Sequence, residues 1–231
     1  MVIVVMKVIG IPLRYQHLED GRCINYLSEK LRLTMQKAGA YIFPIAPVQN
    51  VYYIDTRGKD FLPLTNEEKE VIEKSLDYID GMLFPGGNKF TPYDRYLLER
   101  CIDRDIPVLG ICLGMQMMSC HQKDVNLIKN ETDINHKQES DEELTHKVII
   151  KKDTLLYEIL KQEEIMVNSF HNYHSEDNSL FKVNAISEDN IIEGIELSDK
   201  KFILGIQWHP EISYEFDENS KKIIDEFIRR C

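Results

Sequence analysis

One cysteine in this chain lies in a frame that could make it a nucleophile. Residues 108–116 read Val-Leu-Gly-Ile-Cys-Leu-Gly-Met-Gln, an apolar strand pattern that runs into Gly-x-Cys-x-Gly and then into a helical pattern. This order is typical of a nucleophile elbow, in which small flanking residues let the chain turn sharply from strand to helix. The turn would expose Cys112 at the carboxyl edge of a sheet, where a helix N-terminus stabilises a thiolate. The N–H of Leu113 would then face a developing oxyanion.

The same turn also has a structural interpretation, in which the cysteine is simply buried between a strand and a helix. That interpretation applies to the four cysteines that lack such a frame: Cys23, Cys101, Cys120 and Cys231. The five cysteines form no CxxC pair and no metal-ligand spacing, and their number is odd. We therefore expect reduced thiols and a cytoplasmic protein.

A base for the thiol is predicted far downstream, where residues 204–211 read Leu-Gly-Ile-Gln-Trp-His-Pro-Glu. An apolar strand that ends at His209 would place this imidazole at the same sheet edge as the elbow. Glu211 could then hold one ring nitrogen while the other faces the thiol. Alone, His-Pro-Glu at a strand end is also typical of a surface turn. Together with the elbow, it favours a Cys112–His209–Glu211 triad.

The elements that must position these residues alternate along the first half of the chain. Apolar strand patterns at 2–11, 41–46, 81–84 and 107–111 are separated by helical patterns at 26–38, 65–78 and 92–103. Such alternation predicts a parallel sheet with right-handed crossovers. From residue 147 the pattern changes to short strands at 147–151, 165–167, 181–186, 191–196 and 202–208, followed by a helix at 219–228. We predict one α/β domain over 1–231, with a doubly wound, mainly parallel sheet and an antiparallel C-terminal extension.

Between the halves, residues 122–145 are polar, charged and devoid of Phe, Trp and Tyr. We predict a mobile surface excursion there. Arg14 follows the first strand and is expected to be a solvated loop residue, with carboxylate binding as the alternative. Five histidines outside the motifs show no metal-type spacing and are expected on the surface or in loops: His17, His121, His136, His146 and His174.

Composition excludes several function classes. The chain has 231 residues, 43% of them hydrophobic, and a formal net charge of −11. This acidity argues against nucleic acid and anionic membrane surfaces as partners, since both favour a basic face. No apolar run approaches the ~18 residues of a membrane span. We expect a small-molecule substrate, no nucleic acid and no membrane; a homodimer is compatible with the sequence.

The combination of Gly-x-Cys-x-Gly-x-Gln with a distant Gln-Trp-His-Pro-Glu resembles the class I glutamine amidotransferase-like superfamily, which implies a flavodoxin-like fold. Three further segments narrow the resemblance. They are Pro-Gly-Gly at 85–87, Val-Asn-Ser-Phe-His at 167–171 and Ile-Ile-Glu-Gly-Ile-Glu at 191–196. Together they are similar to γ-glutamyl hydrolases of the peptidase C26 type, which include enzymes acting on γ-glutamyl-4-aminobutyrate.

The resemblance implies a role for each matching residue. Cys112 would attack a γ-glutamyl carbonyl and form a thioester, with His209 and Glu211 completing the triad. The N–H groups of Gly86 or Gly87 and of Leu113 would form the oxyanion hole. The implied substrate-binding residues are Gln116, Asn168, Ser169, Phe170 and His171. Without the resemblance, 86–87 would be a simple β-turn and Gln116 a solvated helix residue. This chemistry requires no cofactor and no metal.

Two departures from the subgroup fall on the leaving-group side of the site. Residues 171–173 read His-Asn-Tyr where two histidines and a glutamine are usual, and Ser-Cys-His-Gln at 119–122 replaces a usual Gly-Gly loop. Because of these departures, the resemblance does not identify the amine that is released. The rival to an independent hydrolase is a glutaminase subunit that supplies ammonia to a separate synthetase partner. A second rival is a non-catalytic protein on the same fold.

Overall fold

The computed structural model of this protein describes residues 6–48, 63–120, 127–177 and 180–231. The strands are β1 Lys7–Pro12, β2 Arg14–His17, β3 Cys23–Tyr26, β4 Ala40–Ile45, β5 Gly81–Phe84, β6 Val108–Ile111, β7 Leu127–Lys129, β8 His146–Ile150, β9 Glu164–Val167, β10 Tyr173–Ser175, β11 Lys182–Ser187, β12 Ile192–Glu196 and β13 Ile203–Ile206. The helices are α1 Glu29–Lys37, α2 Asn66–Leu76, α3 Pro92–Asp103, α4 Leu113–Ser119, α5 Leu155–Leu160, α6 Pro210–Ser213 and α7 Glu218–Arg230.

A nine-stranded sheet in the order β4-β1-β5-β6-β13-β12-β11-β8-β9 organises the molecule. The first five strands of this order pair in parallel. From β13 onward every pairing is antiparallel. This confirms the predicted doubly wound parallel sheet with its antiparallel extension. Because one sheet takes strands from both halves of the chain, it supports the proposal of a single domain over 1–231.

The central strands are buried on both faces because their side chains alternate between two apolar cores. One core contains Leu83, Leu109 and Ile111 of β5 and β6, and residues of α1 and α7 pack there. The opposite core contains Met82, Phe84 and Val108 of the same strands, with residues of α2, α3 and α4. Helices on both faces of a parallel sheet leave its carboxyl edge for the functional residues.

Helix starts follow the predicted chemistry. Thr65 and Glu68 form the expected capping box at the start of α2. A second box, which sequence reading did not identify, joins Thr91 and Asp94 at the start of α3, and Pro92 lies at its first position. Each box satisfies orphan N–H groups at a helix N-terminus.

The structure differs from the prediction near the N-terminus and at short helices. The helix predicted over 26–38 is present as α1 but begins only at Glu29, because Tyr26 belongs to a hairpin of β2 and β3, where it pairs with Arg14. Helices α5 and α6 were missed because each is under two turns, too short for a helical period to show. The first four residues of the predicted first strand, 2–5, lie outside the described residues. Among described residues, no helix is long and apolar enough to cross a bilayer.

The predicted surface excursion is attached to the body of the protein over residues 127–145. Strand β7 pairs with β10, and Lys137 forms a bridge with Phe170. His136 and Gln138 are buried, which is incompatible with a free surface loop. Buried polar side chains attach this segment although it has no aromatic residues. Composition alone does not reveal such contacts. Residues 122–126 of the predicted excursion lie outside the described part of the chain.

The elbow glycine Gly114 provides a test of this packing. A Cβ at Gly114 would come within 2.3 Å of the Phe84 carbonyl oxygen. We predict that Gly114→Ala lowers the free energy of unfolding by roughly 1–3 kcal/mol, the usual cost of overpacking. Urea denaturation followed by circular dichroism measures it. The control Lys222→Ala, on the exposed face of α7, should change stability by less than about 0.5 kcal/mol. Equal stability of Gly114→Ala and the wild type would contradict the close approach.

Candidate functional site

Cys112 occupies a sharp turn between β6 and α4. Its backbone has φ 50° and ψ −103°, a conformation that non-glycine residues rarely adopt. Its N–H donates to the Ile206 carbonyl at 2.8 Å, which fixes the end of β6 against β13. Space for the turn comes from Gly110 and Gly114, where an added Cβ would come within 2.4 Å of Met118 Sδ and 2.3 Å of Phe84 O, respectively. This geometry is that of the elbow expected from the sequence.

His209 reaches the same place from the neighbouring strand. Strand β13 pairs in parallel with β6, with Ile206 opposite Ile111. His209 precedes α6, and its Nδ1 lies 2.8 Å from Glu211 Oε1. The Cys112 thiol lies close enough to this ring to raise the pKa of His209. The structure therefore brings the three proposed triad residues together in the order thiol, imidazole, carboxylate.

The charge state of His209 is set by these two neighbours. Burial lowers the pKa of His209, but the Glu211 carboxylate and the Cys112 thiol raise it more, so the net pKa lies well above its ordinary value. An imidazolium beside the Glu211 carboxylate is the form of His209 favoured by this environment. The arrangement can therefore hold a thiolate–imidazolium pair and return a proton from His209 to a leaving group.

The Pro85-Gly86-Gly87 turn closes one side of this group. An added Cβ at Gly86 would lie 2.9 Å from His209 Cε1 and 3.7 Å from Cys112 Cβ. At Gly87 it would lie 3.2 Å from Leu113 Cδ2. Gly86 thus lies beside His209 and Cys112, and Gly87 lies beside Leu113, so a side chain at 86 would collide with the base.

Arg14 supports this turn from behind. Its guanidinium donates to Pro85 O at 2.7 Å, to Gly86 O at 3.2 Å and to Asp94 Oδ1 at 2.7 Å. Arg14 is only 6% exposed, so the expectation of a solvated loop arginine is wrong. Three of its five N–H donors are engaged within the protein, and Arg14 also lines the cavity beside His209, so carboxylate binding by Arg14 stays a prediction. Because a trans peptide points its N–H opposite to its C=O, fixing the two carbonyls fixes the direction of the N–H groups of Gly86 and Gly87.

Residues 168–171, predicted to hold the substrate, have other partners. Asn168 is fully buried and clamps His209: its Oδ1 accepts from His209 N and its Nδ2 donates to His209 O, both at 2.8 Å. Ser169 is also fully buried and donates to His136 O. Phe170 packs edge-on against the His209 ring at 5.5 Å between centroids. Asn168 and Phe170 position the base, a role that no local pattern indicates.

Gln116 is buried rather than solvated. Its Nε2 donates to Tyr173 O at 2.8 Å and to Gln207 Oε1 at 3.2 Å. The side chain therefore connects the elbow helix to the segment after residue 171 and to the strand end before His209. Both donor positions of its amide nitrogen are occupied by the protein.

His171 belongs to a separate buried cluster with His136, His146 and Glu193. The expectation of surface or loop positions is wrong for His136 and His146, which are 3% and 4% exposed. Sequence reading missed the cluster because its four members come from distant segments and share no spacing. His121 lies outside the described residues.

A cavity of about 270 Å³ opens beside the base and the glycine turn. Its lining includes His209, Glu211, Gly86 and Gly87. Three further charged side chains line it: Arg14, Lys30 of α1 and Asp141 of the segment before β8. The cavity is large enough for a small polar substrate next to the triad.

Comparison with known proteins agrees with this geometry. The Peptidase C26 family model matches residues 91–211. Protein NtpR of Enterococcus hirae is 29% identical across 67% of this chain and 76% of its own length. The gamma-glutamyl-gamma-aminobutyrate hydrolase of Escherichia coli O157:H7 is 26% identical across 74% of this chain and 79% of its own.

Among solved structures, the glutaminase domain of Trypanosoma brucei CTPS with bound acivicin superposes with a TM-score of 0.64. It is 14% identical and covers 97% of this chain and 92% of that domain. This likeness shows the shared fold. The family match over half of the sequence places the chain in the Peptidase C26 family, within the class I glutamine amidotransferase-like hydrolases.

Proposed function

We propose that this protein hydrolyses a γ-glutamyl amide bond, with Cys112 as nucleophile, His209 as base and Glu211 orienting that base. One observation carries the proposal. A cysteine held at positive φ faces a histidine whose other nitrogen is bound to a carboxylate at 2.8 Å. This is the arrangement that an activated thiol nucleophile requires.

In the first half-reaction the Cys112 thiolate attacks the γ-carbonyl carbon of the substrate. The carbonyl π electrons move to oxygen, and N–H groups of Leu113 and of Gly86 or Gly87 stabilise this oxyanion. The intermediate collapses as the C–N bond breaks and His209 gives its proton to the departing amine. A γ-glutamyl thioester remains on Cys112.

In the second half-reaction, neutral His209 takes a proton from water as that water attacks the thioester carbonyl. Breaking the C–S bond releases glutamate and regenerates the thiolate beside the imidazolium. Glu211 stabilises the imidazolium in both halves without itself being protonated. The balanced reaction consumes one water and requires no redox partner.

The glutamyl head group is zwitterionic, and its binding site should carry both signs of charge. Lys30 and Asp141 line the cavity beside His209, while Asn168, Ser169 and His171 are occupied within the protein. We therefore assign the α-carboxylate to Lys30 and the α-amino group to Asp141. In this assignment Lys30 and Asp141 take the place of Asn168, Ser169 and His171, which the resemblance implies as substrate-binding residues. Phe170 packs against the ring of His209.

Cys112 can be tested by its reactivity. We predict that one equivalent of iodoacetamide labels Cys112 ahead of the other four cysteines, because Cys101 and Cys120 are buried and burial raises the pKa of Cys231 to about 12. Peptide mass spectrometry identifies the labelled residue. Cys112→Ser should abolish glutamate release while circular dichroism stays unchanged. Turnover by Cys112→Ala, or preferential labelling of Cys23, would end the assignment.

The base and its partner should differ in importance. His209→Ala should lower kcat/KM by about 10²–10⁴-fold, the usual contribution of a general base. Glu211→Gln should be milder, because the amide keeps a hydrogen bond but not the charge that raises the pKa of His209. With less imidazolium formed, Glu211→Gln should also slow alkylation of Cys112 at neutral pH.

Steady-state kinetics and stopped alkylation assays measure both effects. If Glu211→Gln lowered kcat/KM as much as His209→Ala, the carboxylate would be needed for the fold. Thermal unfolding of Glu211→Gln would reveal that role. Lys37→Gln is the surface control, because it removes an exposed ion pair between α1 and Glu215.

Substrate class is tested by a screen of γ-glutamyl amides beside free glutamine, scored by glutamate release from the purified chain alone. We expect a higher kcat/KM for an amide of a larger amine, such as 4-aminobutyrate or a polyamine, because leaving-group contacts add binding energy in the transition state.

In the same screen Lys30→Gln and Asp141→Asn should raise KM for all γ-glutamyl substrates alike, since they contact the shared head group. Better activity on glutamine, with stimulation by a synthetase, would instead assign an ammonia-supplying glutaminase. If the rise in KM caused by Lys30→Gln differed from one amine to another, we would assign Lys30 to the binding of the leaving amine.

A further inference from the structure

Three histidine rings converge on one buried carboxylate at a site separate from the triad. Glu193 Oε1 lies 3.3 Å from His136 Nδ1, 3.3 Å from His146 Nε2 and 3.5 Å from His171 Nε2. Glu193 is fully buried, and each histidine is under 5% exposed. Ligand atoms of His136, His146 and Glu193 all lie within 4.8 Å of one another.

These distances do not match direct hydrogen bonds. Charge-assisted N–H···O contacts are about 2.7–2.9 Å long. A tetrahedral Zn²⁺ with bonds of about 2.0–2.1 Å instead separates its ligand atoms by about 3.3–3.4 Å along each edge. The three measured separations from Glu193 Oε1 fall at or within 0.2 Å of that edge length. The spacing therefore fits ligands around one ion better than it fits a chain of donors and acceptors.

The far nitrogen of the His136 ring has the kind of acceptor that metal-bound histidines use. His136 Nε2 faces Asp189 Oδ2 at 3.0 Å, which fixes the proton on Nε2 and turns the Nδ1 lone pair toward Glu193. His171 Nδ1 instead lies between an acceptor, Tyr173 O at 3.1 Å, and a donor, Asn130 Nδ2 at 3.2 Å, so these contacts fix no single tautomer of His171. A carboxylate or carbonyl behind a ligating histidine is the usual outer shell of a metal site.

Without an ion, the interior of the cluster has polar atoms that lack satisfied partners. Among described residues, six such buried atoms have no well-formed hydrogen bond: His136 Nδ1, both ring nitrogens of His146, His171 Nε2 and both oxygens of Glu193. Buried polar groups are rarely left in this way, and a cluster of them requires an explanation. One divalent cation would engage three of the six, one each from His136, His146 and Glu193.

We propose that His136, His146 and Glu193 bind Zn²⁺ or a similar borderline transition-metal ion, with His171 beside the site rather than among its ligands. Imidazole-rich donors select this class over Mg²⁺ or Ca²⁺, which prefer all-oxygen shells. Because all three ligands are buried, the expected role is structural. The ion would join the 127–145 segment to strands β8 and β12, and would hold the polar segment that carries Asp141.

The test is metal content of the full, untagged chain. Because a thiol beside a histidine also captures zinc, the protein carries Cys112→Ser, which removes that competing site. It is unfolded in guanidinium with a chelator, then refolded with one equivalent of Zn²⁺ or Co²⁺ and passed through gel filtration. We expect about one retained ion per chain by mass spectrometry, and Co²⁺ bands of a tetrahedral site without thiolate charge transfer. Protein isolated directly from zinc-supplemented cells should carry the same equivalent.

Variants give a graded result. His146→Ala and Glu193→Gln should weaken Zn²⁺ binding by at least about 100-fold, and Asp189→Asn, which changes only the outer shell, by about 10–100-fold. His174→Ala is the matched control, since its Nδ1 bonds to Asn130 and it is not a proposed ligand. It should retain the full equivalent.

Two outcomes would overturn the proposal. One is folded protein, isolated or refolded, that holds less than about a tenth of an equivalent. The other is retention by Glu193→Gln and His146→Ala equal to that of His174→Ala. If those variants do not fold, the content and cobalt spectrum of the parent protein decide. Neither result depends on γ-glutamyl hydrolysis, so failure here and failure of the proposed activity are distinguishable.

Discussion

The parallel pairing of β6 with β13 determines where the chemistry can occur. Gly110 lies opposite Gly205 and Ile111 opposite Ile206, so both strands end at the same level. Cys112 follows one strand by a single residue, and His209 follows the other by three. Since side chains alternate along a strand, a shift of one residue in this register would move the inward-facing set to the opposite face. Every other contact of the triad depends on that register.

The conformation of Cys112 is maintained by packing around it. Holding a non-glycine residue in a sparsely populated backbone region costs on the order of 1–3 kcal/mol and requires its surroundings to fix it. Here Gly114 lies against the Phe84 carbonyl, and Gly110 lies against Met118 and the backbone of the elbow helix. These contacts allow α4 to begin directly after Cys112. In the proposed reaction its first N–H group would stabilise the oxyanion. Strain and function therefore share one cause, the tightness of the turn.

Local patterns predicted the parts of the fold that depend on short-range chemistry. The Thr65–Glu68 capping box, the buried strand 81–84 and the Gly-x-Cys-x-Gly turn could each be identified from adjacent residues. The Arg14–Asp94 ion pair could not, because it joins residues 80 positions apart, and Asp94 already satisfies a helix cap. The histidine cluster was hidden for the same reason, since its ligands are brought together only by the antiparallel half of the sheet and the segment before it.

The segment 168–171 connects the two polar sites, because its side chains alternate between them. Asn168 and Phe170 contact His209, whereas Ser169 and His171 face the other way and contact His136 and Glu193. An extended backbone sends successive side chains to opposite sides, so one short stretch serves the catalytic base and the buried cluster at once. Contacts that fix His171 also restrict the backbone between Asn168 and Phe170. The geometry of His209 is therefore coupled to the histidine cluster through three consecutive peptide bonds, although the cluster touches neither the thiol nor the cavity beside the base.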